Sequence, residues 1–352
     1  MMHRFHHLTG FVIVTLLSIA TAASAEEVRV GVVGSASDGT FFIADAKGYF
    51  RDEGLSVAFV NFANVGEMLP ALGTDQLEVG SGAPSAGLYN AVARGIDIKV
   101  VADKGSMPPG YGYMPLLVRK DLIESGRVKT LADLKGLKIG SPQQGGANVA
   151  TLNEALREGG LSWGDVDAVY MGHMQLAFAL ENQALDAALV AEPNASLALK
   201  SGKVVRFVPG DQIYPNQQLA VVVYGGGFAR KAPDAARKFM VAYLRAARDY
   251  NDAIASGHLT GPKGDEIIAI LTRYTTLKDA ALYREMVPNG VDPDGRVNIA
   301  SMEKDHEFIA KLGLLKGESS VKDIVDPSFA AAAVERLGPY RRKPGESKSG
   351  MK

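Results

Sequence analysis

The 352-residue sequence contains no cysteine. Disulfides, cysteine-ligated zinc, iron–sulfur clusters and cysteine nucleophiles are therefore excluded. The sequence also has no large excess of either charge, because its 38 lysines and arginines nearly balance its 39 aspartates and glutamates. Without a basic field, binding to nucleic acid is not expected. Aromatic residues make up only 7% of the chain, but 47% of its residues are hydrophobic, which at this length suffices for two domains with separate cores.

Motifs for metal and covalent chemistry are absent as well. Three of the six histidines, His3, His6 and His7, lie at the N-terminus, and no HExxH motif occurs. The sequence has no GxSxG elbow, no Walker A motif and no GxGxxG fingerprint. We therefore expect neither a metal nor a cofactor, and the sequence favours a binding protein over an enzyme.

The first 25 residues have the composition of a secretory signal peptide. Arg4 precedes an apolar run at residues 10–20, and the small residues Ala-Ser-Ala end at Ala25. A membrane span would need about 20 apolar residues, which makes a retained anchor the less favoured alternative. A lipid anchor would need a cysteine at the cleavage site. We expect cleavage after Ala25 and a periplasmic protein or, failing that, an extracellular one.

Beyond residue 27, short β-branched runs alternate with amphipathic stretches, which is typical of βαβ units around a mostly parallel sheet. A loop at residues 104–113 with two prolines and three glycines interrupts the alternation and predicts a crossing into a second domain. The predicted strands are residues 28–33, 55–60, 77–80, 96–102, 114–118, 137–140, 166–170, 187–190, 204–208 and 219–224. The predicted helices are residues 43–53, 65–72, 84–94, 147–158, 175–183, 193–201 and 233–255.

Six degenerate segments occur in a characteristic order and spacing: residues 44–54 (ADAKGYFRDEG), 80–85 (GSGAPS), 131–140 (LADLKGLKIG), 145–161, 179–193 (ALENQALDAALVAEP) and 228–243 (FARKAPDAARKFMVAY). In this combination the sequence resembles the periplasmic solute-binding proteins of ABC importers. The similarity is to the nitrate/sulfonate/taurine branch, which also includes binders of thiamine pyrimidine and riboflavin precursors. It extends over nearly the whole chain beyond residue 25.

The resemblance implies an α/β protein with the type II periplasmic binding protein fold. Two α/β lobes would be joined by crossing strands and would close on a ligand held between them. Lobe 1 would comprise residues 26–113 and 225–340, lobe 2 residues 114–224, and residues 341–352 would form a flexible tail. The hinges would fall near Tyr113 and Tyr224.

Three polar loops are expected to contact the ligand, because open α/β sheets bind their ligands where strands end and helices begin. Residues 34–40, 80–85 and 141–148 each follow a predicted strand and supply glycines, hydroxyls or amides. For Ser37 or Asp38 alone, a helix-capping role is equally expected. The candidate ligand-binding residues of these loops are Ser37, Asp38, Thr40, Phe41, Ser81, Gly82, Ala83, Ser85, Gln144, Gly145, Gly146 and Asn148.

Further candidates flank the predicted cleft. His173 follows a predicted strand, although a histidine there more often packs or caps, and Glu192 is open to the role of a helix N-terminal acid. No loop of the predicted site contains arginine, so a monoanion or a polar heterocycle suits the site better than a dianion. The remaining candidates are Met174, the hinge tyrosines Tyr111 and Tyr113, which are suited to stacking, and Gln218.

The function implied by the resemblance is capture of a small solute and its delivery to a membrane permease. The partners would be the permease and ATPase subunits of the importer, and the protein itself would be a monomer. Two alternatives stay open, an enzyme of pyrimidine-precursor metabolism on the same fold and a sensory receptor. The related pyrimidine synthases depend on a cysteine-rich segment, which this chain lacks. Sulfonates, nitrate, pyrimidines and aromatic acids all remain open as solutes.

Overall fold

A computed structural model describes residues 25–342. The predicted signal peptide, apart from Ala25, lies outside the described residues, as do residues 343–352 of the predicted tail. Within the described range, none of the helices combines the length and the apolar content needed to cross a bilayer.

The β-strands are short and lie close to the positions predicted from the β-branched runs. In chain order they are β1 Glu26–Val32, β2 Leu55–Asn61, β3 Val79–Gly82, β4 Ile98–Met107, β5 Leu116–Arg119, β6 Lys138–Ser141, β7 Asp167–Tyr170, β8 Ala187–Leu189, β9 Val204–Val208 and β10 Gln217–Gly225.

Helices lie between successive strands up to β10, except between β4 and β5, and then follow one another to the end of the described chain. They are α1 Gly39–Ala46, α2 Tyr49–Asp52, α3 Val65–Gly73, α4 Ala86–Ala93, α5 Lys120–Glu124, α6 Ala147–Glu158, α7 His173–Glu181, α8 Asn194–Lys200, α9 Gly210–Ile213, α10 Gly226–Lys231, α11 Pro233–Ala253, α12 Gly264–Tyr274, α13 Ala280–Glu285, α14 Ile299–Lys311, α15 Val321–Ile324 and α16 Ser328–Leu337.

The strands form two five-stranded mixed sheets with the same topology. The first sheet has the order β2-β1-β3-β10-β4, and the second has the order β7-β6-β8-β5-β9. In each sheet, a single strand, β10 or β5, runs antiparallel to both of its neighbours. Each sheet and the helices packed on it form one α/β lobe, which we call lobe 1 for the first sheet and lobe 2 for the second. The predicted α/β class with two lobes is confirmed.

Strand β10 lies in lobe 1, although the sequence prediction placed residues 219–224 at the end of lobe 2. Val222 pairs with Ser81 of β3 on one side and with Ala102 of β4 on the other. The chain therefore passes between the lobes before this strand. We propose residues 108–115 and 209–216 as the two crossing segments.

Each sheet is covered by an apolar layer on both faces. In lobe 1 the long helix α11 begins with Pro233 in its first turn, where a proline costs no hydrogen bond. The ring of Phe41 lies 6.1 Å from that of Phe239 and 5.2 Å from that of Tyr243, between centroids, and all three are buried. Phe41, predicted to contact the ligand, therefore belongs to the core of lobe 1.

Two local differences from the sequence prediction have clear physical causes. The helix predicted for residues 43–53 is divided into α1 and α2, because Gly48 adopts a left-handed conformation with φ of 74°. The loop predicted for residues 104–113 begins only after Met107, because β4 continues through Lys104. A lysine with a fully buried side chain was not expected in a strand interior.

Candidate functional site

A cavity of about 550 Å³ lies between the two lobes. Lobe 1 contributes the end of β1, the turn to α1, and residues from the end of α12 to α13. Lobe 2 contributes the first turn of α7 and residues around the start of α8. The cavity therefore lies beyond the carboxyl ends of strands, where helices begin, as expected for an open α/β sheet.

The turn after β1 forms a rigid floor under this cavity. The carboxylate of Asp38 accepts hydrogen bonds through Oδ2 from the backbone N–H groups of Val33 at 3.1 Å and Ser35 at 3.0 Å. Its Oδ1 lies 2.7 Å from Nζ of Lys104, and both side chains are fully buried. The same ammonium donates to Oγ of Ser37 at 2.9 Å. The charge of Asp38 is thus compensated within lobe 1.

His173 enters the cavity from lobe 2, at the first position of α7. Its ring atom Nδ1 accepts a hydrogen bond from the backbone N–H of Ala191 at 3.2 Å. Burial lowers the pKa of His173 to about 4, and the nearby charge of Asp38 offsets this only in part. The imidazole is therefore neutral near pH 7, and the proton resides on Nε2.

An aromatic wall closes the lobe 1 side of the cavity. The ring of Phe42 stacks on that of Tyr274 with centroids 5.3 Å apart and planes at 24°. Tyr283 also lines the cavity, and its hydroxyl is 2.6 Å from Oγ1 of Thr275. Rings held by partners of this kind offer a preformed apolar surface to a solute.

The charged side chains that line the cavity are both cationic. Arg273 lies with its guanidinium carbon 5.0 Å from the centre of the Tyr274 ring, and Lys278 donates to the backbone carbonyl of Thr272 at 2.8 Å. Both cations are exposed at the rim. Among the residues of the described chain that line this cavity, none is an aspartate or a glutamate.

The lobes touch each other directly beside the cavity. The N–H of Ala86 in lobe 1 donates to the carbonyl of Gly145 at 2.8 Å, and the N–H of Ala147 in lobe 2 donates to the carbonyl of Pro84 at 3.0 Å. These bonds flank a bridge between Ser85 and Gly146. The structure therefore shows a closed arrangement of the lobes.

The predicted candidates of the loop at residues 34–40 lie at different depths. Ser37 and Asp38 are buried beneath the turn that lines the cavity and do not line it themselves, and Thr40 is buried beside the hydroxyl of Tyr243 in the lobe 1 core. The hydroxyl of Tyr113 lies beside Ser37 and is likewise buried. These side chains support the site from below.

The candidate ligand-binding residues of the loop at residues 80–85 contact other parts of the protein in place of a ligand. Ser81 is buried and donates its hydroxyl hydrogen to the carbonyl of Gly31 at 2.7 Å. Gly82 has a φ of 144°, which disfavours other residues. The hydroxyl of Ser85 caps α4, and the carbonyl of Ala83 accepts from a lobe 2 side chain. The polar groups of this loop are therefore engaged by contacts within lobe 1 and with lobe 2.

The loop at residues 141–148 was expected at the ligand, but in the structure it contacts residues 84–86 of lobe 1. Gly145 and Gly146 take part in the contact described above, and Gln144 lies on a second interlobe pocket of about 500 Å³. Asn148 is buried, and its Oδ1 has no hydrogen-bond partner among residues 25–342. None of the four lines the larger cavity.

The remaining candidates divide between the cavity and the protein interior. Met174 lines the cavity next to His173. Glu192 is fully buried, and its carboxylate binds Arg206 at 2.9 Å and accepts from the N–H of Ser196 at 2.9 Å, so it has no free oxygen for a solute. Tyr111 packs on the lobe 1 core instead of lining the cavity.

Gln218 is a structural residue of lobe 1. Its Nε2 donates to Oδ1 of Asp103 at 2.6 Å and to the carbonyl of Ala220 at 2.8 Å. Its Oε1 accepts from the N–H of Asn298 at 2.8 Å. Every polar atom of the amide is therefore engaged away from the cavity.

Sequence reasoning missed the lining residues that follow residue 233. Arg273, Tyr274, Lys278 and Tyr283 reach the cavity from the region after the predicted helix at residues 233–255, where no site residue was predicted. A cluster of two aromatic residues and two cations within eleven residues was the available signal, but nothing in the sequence places it opposite β1.

The two lobes and the cavity between them have the type II periplasmic binding protein fold. Residues 37–253 match the NMT1/THI5-like family, and the chain belongs to this family. The resemblance noted from the sequence is thereby confirmed.

Two curated relatives carry names of binding proteins. One, from Escherichia coli strain K12, is named for binding aliphatic sulfonates and is 29% identical over 56% of this chain and 59% of its own length. The other is the riboflavin-binding protein RibY of Chloroflexus aurantiacus, 26% identical over 59% of this chain and 57% of its own. The chain thus spans less than two thirds of the length of these relatives.

Solved structures share the fold over most of the chain. The ligand-binding component of an ABC-type import system from Staphylococcus aureus covers 88% of this chain with 99% of its own, at a TM-score of 0.72 and 17% identity. The desulfurization enzyme DSZB covers 89% with 99% of its own, at a TM-score of 0.59 and 15% identity. The fold therefore hosts both binding proteins and an enzyme, and function must be argued from the site.

Proposed function

We propose that this protein is the solute-binding component of an ABC importer, which captures a small solute in the interlobe cavity and presents its closed form to a permease. The observation that carries the proposal is the origin of the cavity lining. Val33 and Tyr274 come from lobe 1, whereas His173 and Asn194 come from lobe 2. A solute of suitable size contacts both sets only when the lobes are closed.

This division of contacts provides the energy for closure. A ligand shifts a conformational equilibrium by the difference in its affinity for the two states. In the open form, the solute would lose the contacts of one lobe, so binding favours the closed form. The direct bonds between residues 84–86 and 145–147 join the lobes in the same arrangement, so they add to the free energy of closure.

The proposal includes the cellular setting that the sequence implies. The protein would act in the periplasm as a monomer, and its partners would be the solute, a permease and its ATPase. Nucleic acid is not a partner in this proposal, since the formal net charge is −1.

An enzyme on the same fold is the alternative, and the site argues against it. A general base must have a free acceptor atom within reach of the proton it removes. In His173 the Nδ1 atom already accepts from Ala191, and Nε2 carries the proton. Asp38 is neutralised by Lys104 beneath the cavity floor. We therefore infer binding without turnover.

A thermal-shift screen tests the proposal directly. Purified protein without its first 25 residues is heated with sulfonates, nitrate, thiamine precursors, flavins, purines, pyrimidines or aromatic carboxylates. A true solute should stabilise the fold by about 2.7 kcal/mol at a hundredfold excess over Kd. It should also reduce the radius of gyration in solution scattering. If the protein alone consumed any of these compounds, the proposed binding role would be wrong and the protein would be an enzyme.

Two matched variants locate the binding site. Leu197 lines the cavity and is 37% exposed, whereas Phe178 is 55% exposed and does not line it. Leu197→Trp adds bulk inside the cavity and should weaken binding at least about tenfold, which corresponds to roughly 1.4 kcal/mol. Phe178→Trp should leave the affinity unchanged. Equal affinities for both variants would place the solute elsewhere.

A further inference from the structure

The described residues that line the cavity include cationic hydrogen-bond donors but no anionic acceptor. Arg273 and Lys278 place cationic donors at the rim, and the lining residues of the described chain include no carboxylate. Two buried carboxylates adjoin lining residues in the sequence, and both are engaged by protein groups: Asp38 by Lys104 and backbone N–H groups, and Glu192 by Arg206 and the N–H of Ser196. An ammonium group inside this cavity would therefore lose its hydration without gaining a charged partner, which is costly.

The ring of His173 is a donor to the cavity. A neutral imidazole has one donor and one acceptor nitrogen, and the hydrogen bond made by one of them determines which is which. Since Nδ1 accepts from the N–H of Ala191, the hydrogen is on Nε2. Within residues 25–342, Nε2 has no hydrogen-bond partner, and the ring lines the cavity.

The aromatic wall adds an apolar surface opposite this donor. Phe42, Tyr274 and Tyr283 line the lobe 1 side, and Leu271 extends it. A purely inorganic anion would leave this surface without a contact. A solute with a hydrogen-bond acceptor at one end and an apolar body would use both sides of the cavity.

On the basis of the proposed function, we propose that the solute is an amine-free organic oxyanion whose head accepts a hydrogen bond from Nε2 of His173. The head is a sulfonate or a carboxylate, which share this chemistry. The apolar body lies against Phe42 and Tyr274. His173 is thus a specificity-determining residue that selects an acceptor, and the lack of a carboxylate in the lining rejects the amine-bearing counterpart of the same solute.

Paired ligands test the selection against amines. Calorimetry compares ethanesulfonate with 2-aminoethanesulfonate, butanesulfonate with 4-aminobutanesulfonate, and 3-phenylpropanoate with phenylalanine. In each pair that binds, the amine-free member should bind at least about tenfold more tightly, because the ammonium of its partner is desolvated without a charged acceptor. Equal or tighter binding of the aminated members would overturn this inference, but it would leave the proposed function intact.

Two substitutions of His173 separate its donor from its structural hydrogen bond. In His173→Asn, the amide oxygen can replace Nδ1 as the acceptor for Ala191, but no donor reaches the position of Nε2. In His173→Gln, the longer side chain places its amide nitrogen near the position of Nε2 and loses the bond to Ala191. We expect His173→Gln to stay within about threefold of the wild-type affinity and His173→Asn to lose at least about tenfold.

The relative solute affinities of the two variants show whether His173 acts as a donor to the solute or only supports the structure. A merely structural role predicts the opposite order, with His173→Asn closer to the wild type, and that result would overturn the inference. Thermal unfolding without solute shows whether each variant is folded. If the wild-type protein binds no member of any pair and no compound of the wider screen, the proposed function itself fails, and this inference fails with it.

Discussion

Nζ of Lys104 lies 2.7 Å from Oδ1 of Asp38, and both side chains are completely shielded from solvent beneath the interlobe cavity. The pair connects β4 with the turn after β1, so it fixes the floor of the site relative to the sheet. Removing one partner leaves the other charge buried and unpaired, which is far more costly than replacing both.

We expect Lys104→Met to lower the free energy of unfolding by about 3–5 kcal/mol, because the Asp38 carboxylate loses its counter-charge. The double variant with Asp38→Asn should recover much of this loss, since the asparagine oxygen can still accept from Val33 and Ser35. Urea unfolding of the wild type, both single variants and the double variant measures the coupling. Additive effects would show that the two groups do not form a pair.

Solute affinity should be nearly constant between pH 5.5 and 8. Burial lowers the pKa of His173 to about 4, so the ring stays neutral throughout this range and Nε2 remains a donor. Calorimetry with a sulfonate, whose own charge is constant here, measures the effect. A rise in affinity on acidification to pH 5.5 would mean that the protonated ring contacts the solute.

A buried acid on helix α14 predicts a different pH effect on stability. Asp305 is buried, its Oδ2 accepts from Nε2 of Gln217 at 3.0 Å, and burial raises its pKa to about 7. Because this pKa lies above that of the unfolded chain, the folded state binds the proton more tightly. The stability it contributes is present at low pH and is lost as the pH rises through 7.

Asp305→Asn should therefore stabilise the protein at pH 8 by about 1–2 kcal/mol relative to the wild type and change little at pH 5. Differences between variant and wild type at each pH cancel the contributions of Asp103, whose pKa burial also raises to about 7, and of His173. Denaturant unfolding at pH 5, 6, 7 and 8 provides the comparison. A difference that does not vary with pH would contradict the raised pKa.

The contact between the lobes can be tested at Gly146. A Cβ atom there would lie 2.7 Å from Oδ1 of Asn148 and would also collide with the side chain of Gln143. We expect Gly146→Val to disturb the bridge to Ser85, to increase the radius of gyration with saturating solute, and to weaken binding at least about tenfold. Gly164, where an added Cβ meets no atom within 4 Å, gives the control Gly164→Val. Unchanged scattering and affinity in Gly146→Val would show that this contact does not contribute to closure.

The sequence predicted local structure well because strand and helix patterns depend on neighbouring residues. Helix α6 was predicted with its observed bounds, and β9 likewise. The placement of β10 between β3 and β4 depends on a pairing across more than a hundred residues, and an apolar run carries no record of its partner. The prediction therefore assigned the strand to the wrong sheet while identifying it correctly as a strand.

The site was predicted in part for the same reason. Two of the predicted site residues, His173 and Met174, line the interlobe cavity. Ser81 and Gln218 were chosen for their polarity, but their hydrogen bonds are made within lobe 1. A polar residue in a sequence indicates a side chain that can form hydrogen bonds. Only the three-dimensional arrangement shows whether its partner is protein or solute.

The position of β10 at the inside of the first sheet has a consequence for biogenesis. Lobe 2 is made from one uninterrupted stretch, residues 116–208, and every strand of its sheet is available once that stretch has been synthesised. Lobe 1 lacks an internal strand until residue 225 has been synthesised, so β3 and β4 would have unpaired edges until that point in translation. Lobe 1, whose synthesis begins first, is therefore the lobe whose sheet is completed last. A chaperone that shields the edges of β3 and β4 would act on lobe 1 alone.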